Sequence, residues 1–244
     1  MFDILGRYRG KIDFWEIVNE PSHVTGIRID EPYRWAREAD PNGHLIVNDY
    51  HVLADGCPQF FELLQQAQRD SVPFDGIGIQ AHEPRMMRFP LHQVKRVLDQ
   101  YATLGKALHI TEFCPTSAGQ PMVGLSIAGV WDEAAQADYA VKFYRVCFAH
   151  PATRAITWWD LCDDGAWLPG SGMLRADLSP KPVYDQLRQL IHGEWKTRAV
   201  GKTDAAGRFH FRGFAGHYEV SANGGRTTAN VVLHRENEII VRLQ

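Results

Sequence analysis

The sequence predicts an α/β fold, a barrel of the (β/α)8 kind, followed by a small antiparallel β domain. Short apolar runs rich in β-branched residues recur, most of them about thirty residues apart, with helix-like segments between them. The composition then changes after residue 195. Alternating strands and helices form parallel sheets. A doubly wound sheet is the alternative, but no glycine-rich phosphate loop follows the first strand, so the barrel is favoured.

Five runs predict the strands of this barrel. Each is apolar almost throughout, as expected for strands that are covered on both faces. In chain order they are KIDFWEIVN (11–19), HLIVNDY (44–50), DGIGIQAH (75–82), ALHITEF (107–113) and RAITWWD (154–160).

Four segments with apolar residues at helical spacing predict helices between these strands. In one of them Leu91, Val94, Val97 and Leu98 fall on a single stripe, and Asp132 stands where it can cap the last helix. The segments are 32–40, 57–70, 88–105 and 132–150.

A second domain is predicted at the end of the sequence. From Thr197 onward, apolar and polar residues alternate and Gly or Asn turns separate the runs. Alternation with period two predicts antiparallel strands, about four of them here. We therefore predict a barrel domain at 1–195 and a small β-sandwich-like module at 196–244. Its Phe and Tyr residues are interpreted as a packed face, with glycan or cell-wall binding as the alternative.

The composition excludes several classes of function. The 244 residues include 26 Lys or Arg and 29 Asp or Glu, a net charge of -3, so no basic face for nucleic acid is expected. No run approaches the roughly 18 apolar residues of a membrane span. The four cysteines lack C-x-x-C spacing. This argues against a zinc knuckle and favours free thiols, with one disulfide, between Cys114 and Cys162, left open.

Polar or aromatic side chains end each of the five predicted strands. The endings are Asn19-Glu20, Asn48-Asp49-Tyr50, Gln80-Ala81-His82, Thr111-Glu112 and Trp159-Asp160. Catalytic groups of such barrels lie at these C-terminal strand ends. Two carboxylates that face each other are the requirement for glycoside hydrolysis, and Glu20 and Glu112 are spaced to lie across a barrel mouth. Loop polarity alone explains any single ending, but not all five together.

Six segments carry a resemblance to a known family. They are GRYRGKIDFWEIVNEP (6–21), AREADPNGHLIVNDYH (36–51), FDGIGIQAH (74–82), LHITEF (108–113), WDLCDDGAWLPG (159–170) and GMLRADLSPKPVYDQL (172–187). In this order they resemble the fourth to eighth strands, and the closing helix, of glycoside hydrolase family 10, the endo-β-1,4-xylanases.

The resemblance implies a retaining xylanase that acts on xylan or xylo-oligosaccharides without a metal or organic cofactor. Glu20 would be the general acid/base and Glu112 the nucleophile, with carboxyl groups about 5–5.5 Å apart. The implied substrate-binding residues are Asn19 on the sugar 2-hydroxyl, Gln80 and His82 beside Glu112, Asn48 and Tyr50 at the acid/base side, and Trp159 and Trp167 around the scissile bond.

The sequence also departs from the family. Asp160 stands where the family usually has Gly, and its charged side chain either lies beside the sugar site or points away from it. Glu16 stands where the family usually has Asp, and His51 where it usually has Asn. Because the first strand matches the family's fourth, we expect an incomplete barrel with strands 4–8 and interpret the chain as a fragment. A truncated, inactive glycan-binding barrel and a barrel β-glucanase or cellulase are the alternatives. The family's polymeric substrates predict a secreted or periplasmic protein, although no signal peptide begins this sequence.

Overall fold

The structure, a computed structural model, divides into two compact units, Met1–Gln186 and Leu187–Gln244. It describes residues 1–82, 87–123, 128–232 and 236–242. The boundary between the units lies a few residues before the predicted one, and the exact domain limits stay a prediction.

A five-stranded parallel sheet forms the centre of the first unit. Its strands are β1 (Phe14–Asn19), β2 (His44–Asp49), β3 (Gly76–Ile79), β4 (Ala107–Phe113) and β5 (Thr153–Trp158). They lie side by side in chain order, each pair parallel. The order never reverses, as it would in a doubly wound sheet, so the predicted strands and the partial barrel are confirmed.

Helices alternate with the strands along the chain. They are α1 (Phe2–Tyr8), α2 (Asp30–Ala39), α3 (Val52–Asp55), α4 (Pro58–Arg69), α5 (Leu91–Ala102), α6 (Glu133–Ala149) and α7 (Pro182–Gln189), with a 3₁₀ turn at Pro21–His23 and a π-helical turn at Leu190–Glu194. The predicted cap of α6 is confirmed, because the Asp132 side chain accepts the N–H of Ala135 at 2.8 Å. The stripe on α5 is buried, as predicted, at Val94, Val97 and Leu98.

Burial falls from the middle of the sheet to its edges. Five of the six residues of β2 and all of β3 are buried. Each edge strand, β1 and β5, pairs on one side only in the part of the chain that the structure describes, and neither has a fully buried residue. Phe14, on β1, leaves 47% of its surface exposed. The sheet is therefore a barrel segment that is open along both edges.

The second unit contains a β-hairpin. Its strands β6 (Gly216–Ala222) and β7 (Gly225–Val231) are antiparallel, and Asn223 and Gly224 between them both have positive φ, as a tight two-residue hairpin turn requires. We predicted about four strands, and the described residues form two. The alternation in 197–215 predicts strands, but these residues form none in the structure, because a strand also needs a hydrogen-bonded neighbour along its length. Part of the last predicted strands, at 233–235 and 243–244, lies outside the described residues.

Two further properties concern the whole chain. Among the described residues, no helix combines the length and the apolar character that crossing a membrane demands. All four cysteines are free thiols, three of them buried, so the disulfide that the sequence left open between Cys114 and Cys162 is not formed.

Candidate active site

The strand ends bring polar side chains together at one rim of the sheet. The ladder of backbone hydrogen bonds continues past the strands: the N–H of Glu20 donates to the Asn48 carbonyl at 2.8 Å and that of Glu112 to the Gln80 carbonyl at 3.0 Å. Because all five strands are parallel, their carboxyl ends share this rim. The register thus carries residues from β1 to β4 into one site.

Glu20 is held by two amide groups. Its Oε1 accepts the Asn19 side-chain amide at 3.2 Å and the Gln80 amide at 2.9 Å. The same Gln80 amide also donates to Asn19 Oδ1 at 3.1 Å. Gln80 is fully buried, so its orientation is fixed by packing as well as by these bonds.

Asn48 extends this network to the second carboxylate. Its amide donates to Glu112 Oε1 at 2.9 Å and to Asn19 Oδ1 at 3.1 Å. Its carbonyl oxygen accepts the Thr111 hydroxyl at 2.7 Å, which fixes which end of the amide faces the carboxylate. A continuous set of hydrogen bonds therefore runs from Glu20 through Asn19 and Asn48 to Glu112.

A glycine makes room for Asn48. Gly78 lies beside it on β3, and a Cβ added there would stand 2.4 Å from Asn48 Oδ1. Real Cβ atoms do not approach oxygen so closely, so any other residue displaces Asn48. The role of Gly78 cannot be predicted from the sequence, since nothing in "DGIGIQAH" reveals which side chain of a neighbouring strand passes over a glycine.

His82 connects the carboxylates to the aromatic side chains. Its Nε2 donates to Gln80 Oε1 and lies 3.9 Å from Glu112 Oε2. Its ring centroid is 6.4 Å from that of Tyr50 and 4.8 Å from that of Trp167. His82 and Glu112 are both buried, whereas Trp167 is half-exposed. Tyr50 and Trp167, here called the aromatic wall, therefore lie between the buried polar residues and the solvent.

The backbone is strained where three successive strands end. Glu20, His51 and Ala81 have φ values of 57°, 60° and 61°, in the left-handed region that residues with a Cβ seldom adopt. Such strain costs about 1–3 kcal/mol at each residue and concentrates at functional sites. The three residues follow β1, β2 and β3 respectively, so the strain lies along the rim that carries the polar network.

A buried carboxylate holds the loop after Glu20 to the second strand. Asp49, fully buried, accepts the N–H of Ser22 at 3.0 Å and lies 3.1 Å from His23 Nε2. The His23 ring in turn stacks on Tyr50, with centroids 3.6 Å apart. The sequence predicts Asp49 as part of a strand end that supports the acid/base side, but strand ends do not predict a role for His23, which belongs to no strand.

Glu16 also faces the network, from the edge strand β1. Its pKa is raised, first because the sheet around it removes water from the carboxylate, although part of the side chain remains exposed at the edge. A hydrogen bond to Asn48 opposes this shift, and the negative charge of Glu20 adds to it.

A cleft of about 550 Å³ opens in front of the acid residue, and its lining is Glu20, Tyr50, His51, Ala54, His82, Met87, Phe89 and Trp167. The site thus brings together eight of the nine residues that the resemblance implied. The ninth, Trp159, follows β5 with 50% of its surface exposed and is not among the residues that line this cleft. The roles of all nine stay predictions.

The described residues offer no group of three or more His, Cys, Asp or Glu side chains placed to hold a metal ion. The hydrogen bonds of the network join carboxylates to side-chain amides. The absence of any cofactor stays a prediction.

Comparison with known proteins assigns the chain. Residues 2–190 match the model of glycosyl hydrolase family 10. The chain belongs to this family. The chain is 29% identical over 218 residues to endo-1,4-beta-xylanase B of Thermotoga neapolitana, covering 80% of this chain and 61% of that protein. It is also 28% identical over 224 residues to anti-sigma-I factor RsgI6 of Acetivibrio thermocellus, covering 89% of this chain and 28% of that protein.

Solved family 10 structures share the fold. Xylanase 10B from Thermotoga petrophila, in complex with xylobiose, superposes with a TM-score of 0.65 at 24% identity, covering 79% of this chain and 64% of that one. A mutant of Xyn10A from Cellvibrio japonicus gives a TM-score of 0.66 at 21% identity. The chain spans less than two thirds of the length of the first curated relatives.

Proposed function

We propose that the chain hydrolyses β-1,4-xylosidic bonds in xylan with retention of configuration, by a double displacement on two glutamates. The observation that carries the proposal is the hydrogen-bonded link between Glu20 and Glu112 through Asn19, Asn48 and Gln80. It holds two carboxylates from strands β1 and β4 in a fixed relation at the rim of the sheet. Retaining glycosidases need such a pair on the two sides of one glycosidic bond.

The first step forms a covalent intermediate. A Glu112 oxygen attacks the anomeric carbon while Glu20 gives its proton to the glycosidic oxygen, so the carbon–oxygen bond breaks and the leaving sugar departs as an alcohol. The Asn48 amide, on Oε1 of Glu112, orients that carboxylate and leaves Oε2 toward His82. Burial of Glu112 keeps competing water from it before the substrate enters.

The second step restores the enzyme. Glu20, now a carboxylate, takes a proton from a water molecule, which attacks the anomeric carbon and releases Glu112. The amide donors of Asn19 and Gln80 hold Glu20 in the same place for both steps. Fixed donors of this kind reduce the reorganisation that each step requires.

The aromatic wall suits a sugar ring. The rings of Tyr50 and Trp167 both lie near His82, with centroids 6.4 Å and 4.8 Å from its ring, and large flat side chains contribute much contact area at small entropic cost. The similarity to xylanases, one of them solved with xylobiose, supports xylan over other β-1,4-glycans as the substrate.

The proposal is tested by reducing-sugar release from purified xylan and from β-glucan. We expect release from xylan by the wild-type chain and none above background by Glu112→Ala. Glu62→Gln, which changes an exposed carboxylate on α4, is the matched control and should retain full activity. Equal release by the wild type and Glu112→Ala contradicts the proposal, and release from glucan alone favours the glucanase alternative.

A second candidate is a glycan-binding protein that does not turn over its ligand. The similarity to an anti-sigma factor favours it, since that relative is not named as an enzyme. In the described residues, no further strand of the sheet continues the barrel beyond its edge strands β1 and β5, so the sheet does not enclose the site on those sides. Saturable binding of xylo-oligosaccharides by calorimetry, with no product and no effect of Glu112→Ala on turnover, would select this candidate.

A further inference from the structure

We propose that Asp160 is a positioning residue that holds Trp167 against His82 and thereby maintains one wall of the cleft. The inference rests on the proposed function, since it names a residue that governs sugar binding at that site. Asp160 follows β5 and begins the loop that leads to α7. The sequence alone left open whether its charge faces the sugar site.

The Asp160 carboxylate turns back into its own loop. Oδ1 accepts the backbone N–H of Trp167 at 3.1 Å, and Oδ2 accepts that of Leu168 at 3.4 Å together with the hydroxyl of Ser171. Hydrogen bonds to an ionised acceptor are about twice as strong as neutral ones. One carboxylate therefore gathers three donors and closes the loop from 160 to 171 on itself.

The far end of this loop is anchored independently. Ser171 is fully buried, and its carbonyl accepts the indole N–H of Trp158, on β5, at 3.0 Å. Lys181, also buried, donates to Asp163 Oδ1 at 2.7 Å and to the Gly170 carbonyl at 3.0 Å. The base of the loop is thus fixed by other residues, so Asp160 acts on the segment that carries Trp167.

Trp167 is the residue of this loop that lines the cleft. It leaves 51% of its surface exposed, and its ring lies 4.8 Å from the His82 ring. His82 in turn lies 3.9 Å from Glu112 Oε2. A shift of the backbone at Trp167 therefore moves the wall that stands next to the proposed nucleophile.

The test compares Asp160→Asn, which keeps the shape and removes the charge, with Asp164→Asn, an exposed aspartate of the same loop. Hydrogen–deuterium exchange of the Trp167 amide and the indole N–H resonance of Trp167 report on the loop. Calorimetry with xylotetraose, in a Glu112→Gln background, reports on the cleft. For Asp160→Asn we expect faster exchange, a shifted indole resonance and about tenfold weaker binding. We expect none of these three changes in Asp164→Asn, and the Tm of both variants verifies that they fold.

The outcomes separate this inference from the proposed function. Unchanged exchange at Trp167, or equal affinities of the two variants, overturns it, while recovery of affinity by Asp160→Glu supports it. If the Glu112→Gln chain binds no xylotetraose, the proposed function fails, and the exchange rate at Trp167 alone decides on Asp160. If Asp160→Asn does not fold, Ser171→Ala, which removes one of the three donors, is measured against the same control.

Discussion

At the scale of single residues, the site depends on close approaches that tolerate little change. Asn48 hydrogen-bonds to Glu112, Asn19 and Thr111 at once. Its side chain lies over Gly78, where there is no Cβ to displace it. Its position therefore links the placement of both carboxylates to a residue with no functional group.

We predict that Gly78→Ala disables the site while the fold survives. The new methyl group would displace Asn48, and a misplacement of about 1 Å costs about 10²-fold in rate. Gly76→Ala, on the same strand, is the control. Its Cβ would meet Ile46 Cγ1 at 3.3 Å, a contact that a small shift relieves. The measurement is kcat/KM on xylan with Tm alongside, and equal kcat/KM in the two variants would contradict the prediction.

A buried histidine links stability to pH. His109 is 4% exposed and packs edge-on to Phe14, with ring centroids 4.8 Å apart. Burial lowers its pKa, and the positive charges of His44 and Arg154 add to this. The unfolded chain therefore binds a proton at this histidine more readily than the folded chain does. The free energy of unfolding is highest above the ordinary histidine pKa of about 6.5, and it decreases as the pH falls below that value.

We therefore expect His109→Gln to flatten the loss of stability between pH 7 and pH 5. The measurement is the difference in Tm between the two pH values for the variant and for the wild type. His92→Gln, an exposed histidine on α5, is the control and should leave the difference unchanged. A wild-type Tm that does not fall on acidification would contradict the assignment.

The sequence predicts the polar side chains of the site better than the residues that hold them in position. Glu20, Gln80 and His82 were chosen because polar residues end parallel strands, a rule that follows from backbone direction alone. The contribution of Gly78 depends on the register between β2 and β3, and that of Asp160 on the path of a loop. Neither is encoded in local residue spacing, so both required the structure.

At the scale of elements, periodicity identified the strands and helices of the first unit. All five predicted strands are present, and the apolar character of the runs matches the burial of the inner strands β2 and β3, whereas the edge strands β1 and β5 have no fully buried residue. In the second unit we predicted about four strands, and the described residues form two. Alternation of apolar and polar residues does not by itself supply a paired neighbour, and among the described residues of this unit only those on either side of the Asn223-Gly224 turn pair as strands.

The N-cap of α6 gives a quantitative prediction. Asp132→Ala removes the acceptor for the Ala135 N–H and should lower the free energy of unfolding by about 1 kcal/mol. In a domain of this size that corresponds to a fall in Tm of about 2–4 °C. Asp132→Ser, which keeps a capping oxygen, should restore most of it. An equal loss in both variants, by calorimetry, would contradict the cap as the cause.

At the scale of the whole molecule, the open edges of the sheet matter most. β1 and β5 each present unpaired backbone groups in the described residues, and parallel edges of this kind invite association. We predict that the 244-residue chain self-associates as its concentration rises in sedimentation velocity. Thr157→Lys, on the exposed face of β5, should reduce this, whereas Thr103→Lys, at the end of α5, should not. A monomer at all concentrations would contradict the prediction.

The central claim is that Glu112 attacks the sugar while Glu20 handles the proton. A 2-deoxy-2-fluoro xylobioside with a good leaving group tests it most directly, since the fluorine slows release of the covalent intermediate. Peptide mapping by mass spectrometry then identifies the labelled side chain, and the reaction needs one turnover only. We expect one label per chain, on Glu112, and none in Glu112→Gln. A label on Glu20, or no label on a folded chain that binds the xylobioside, would contradict the account.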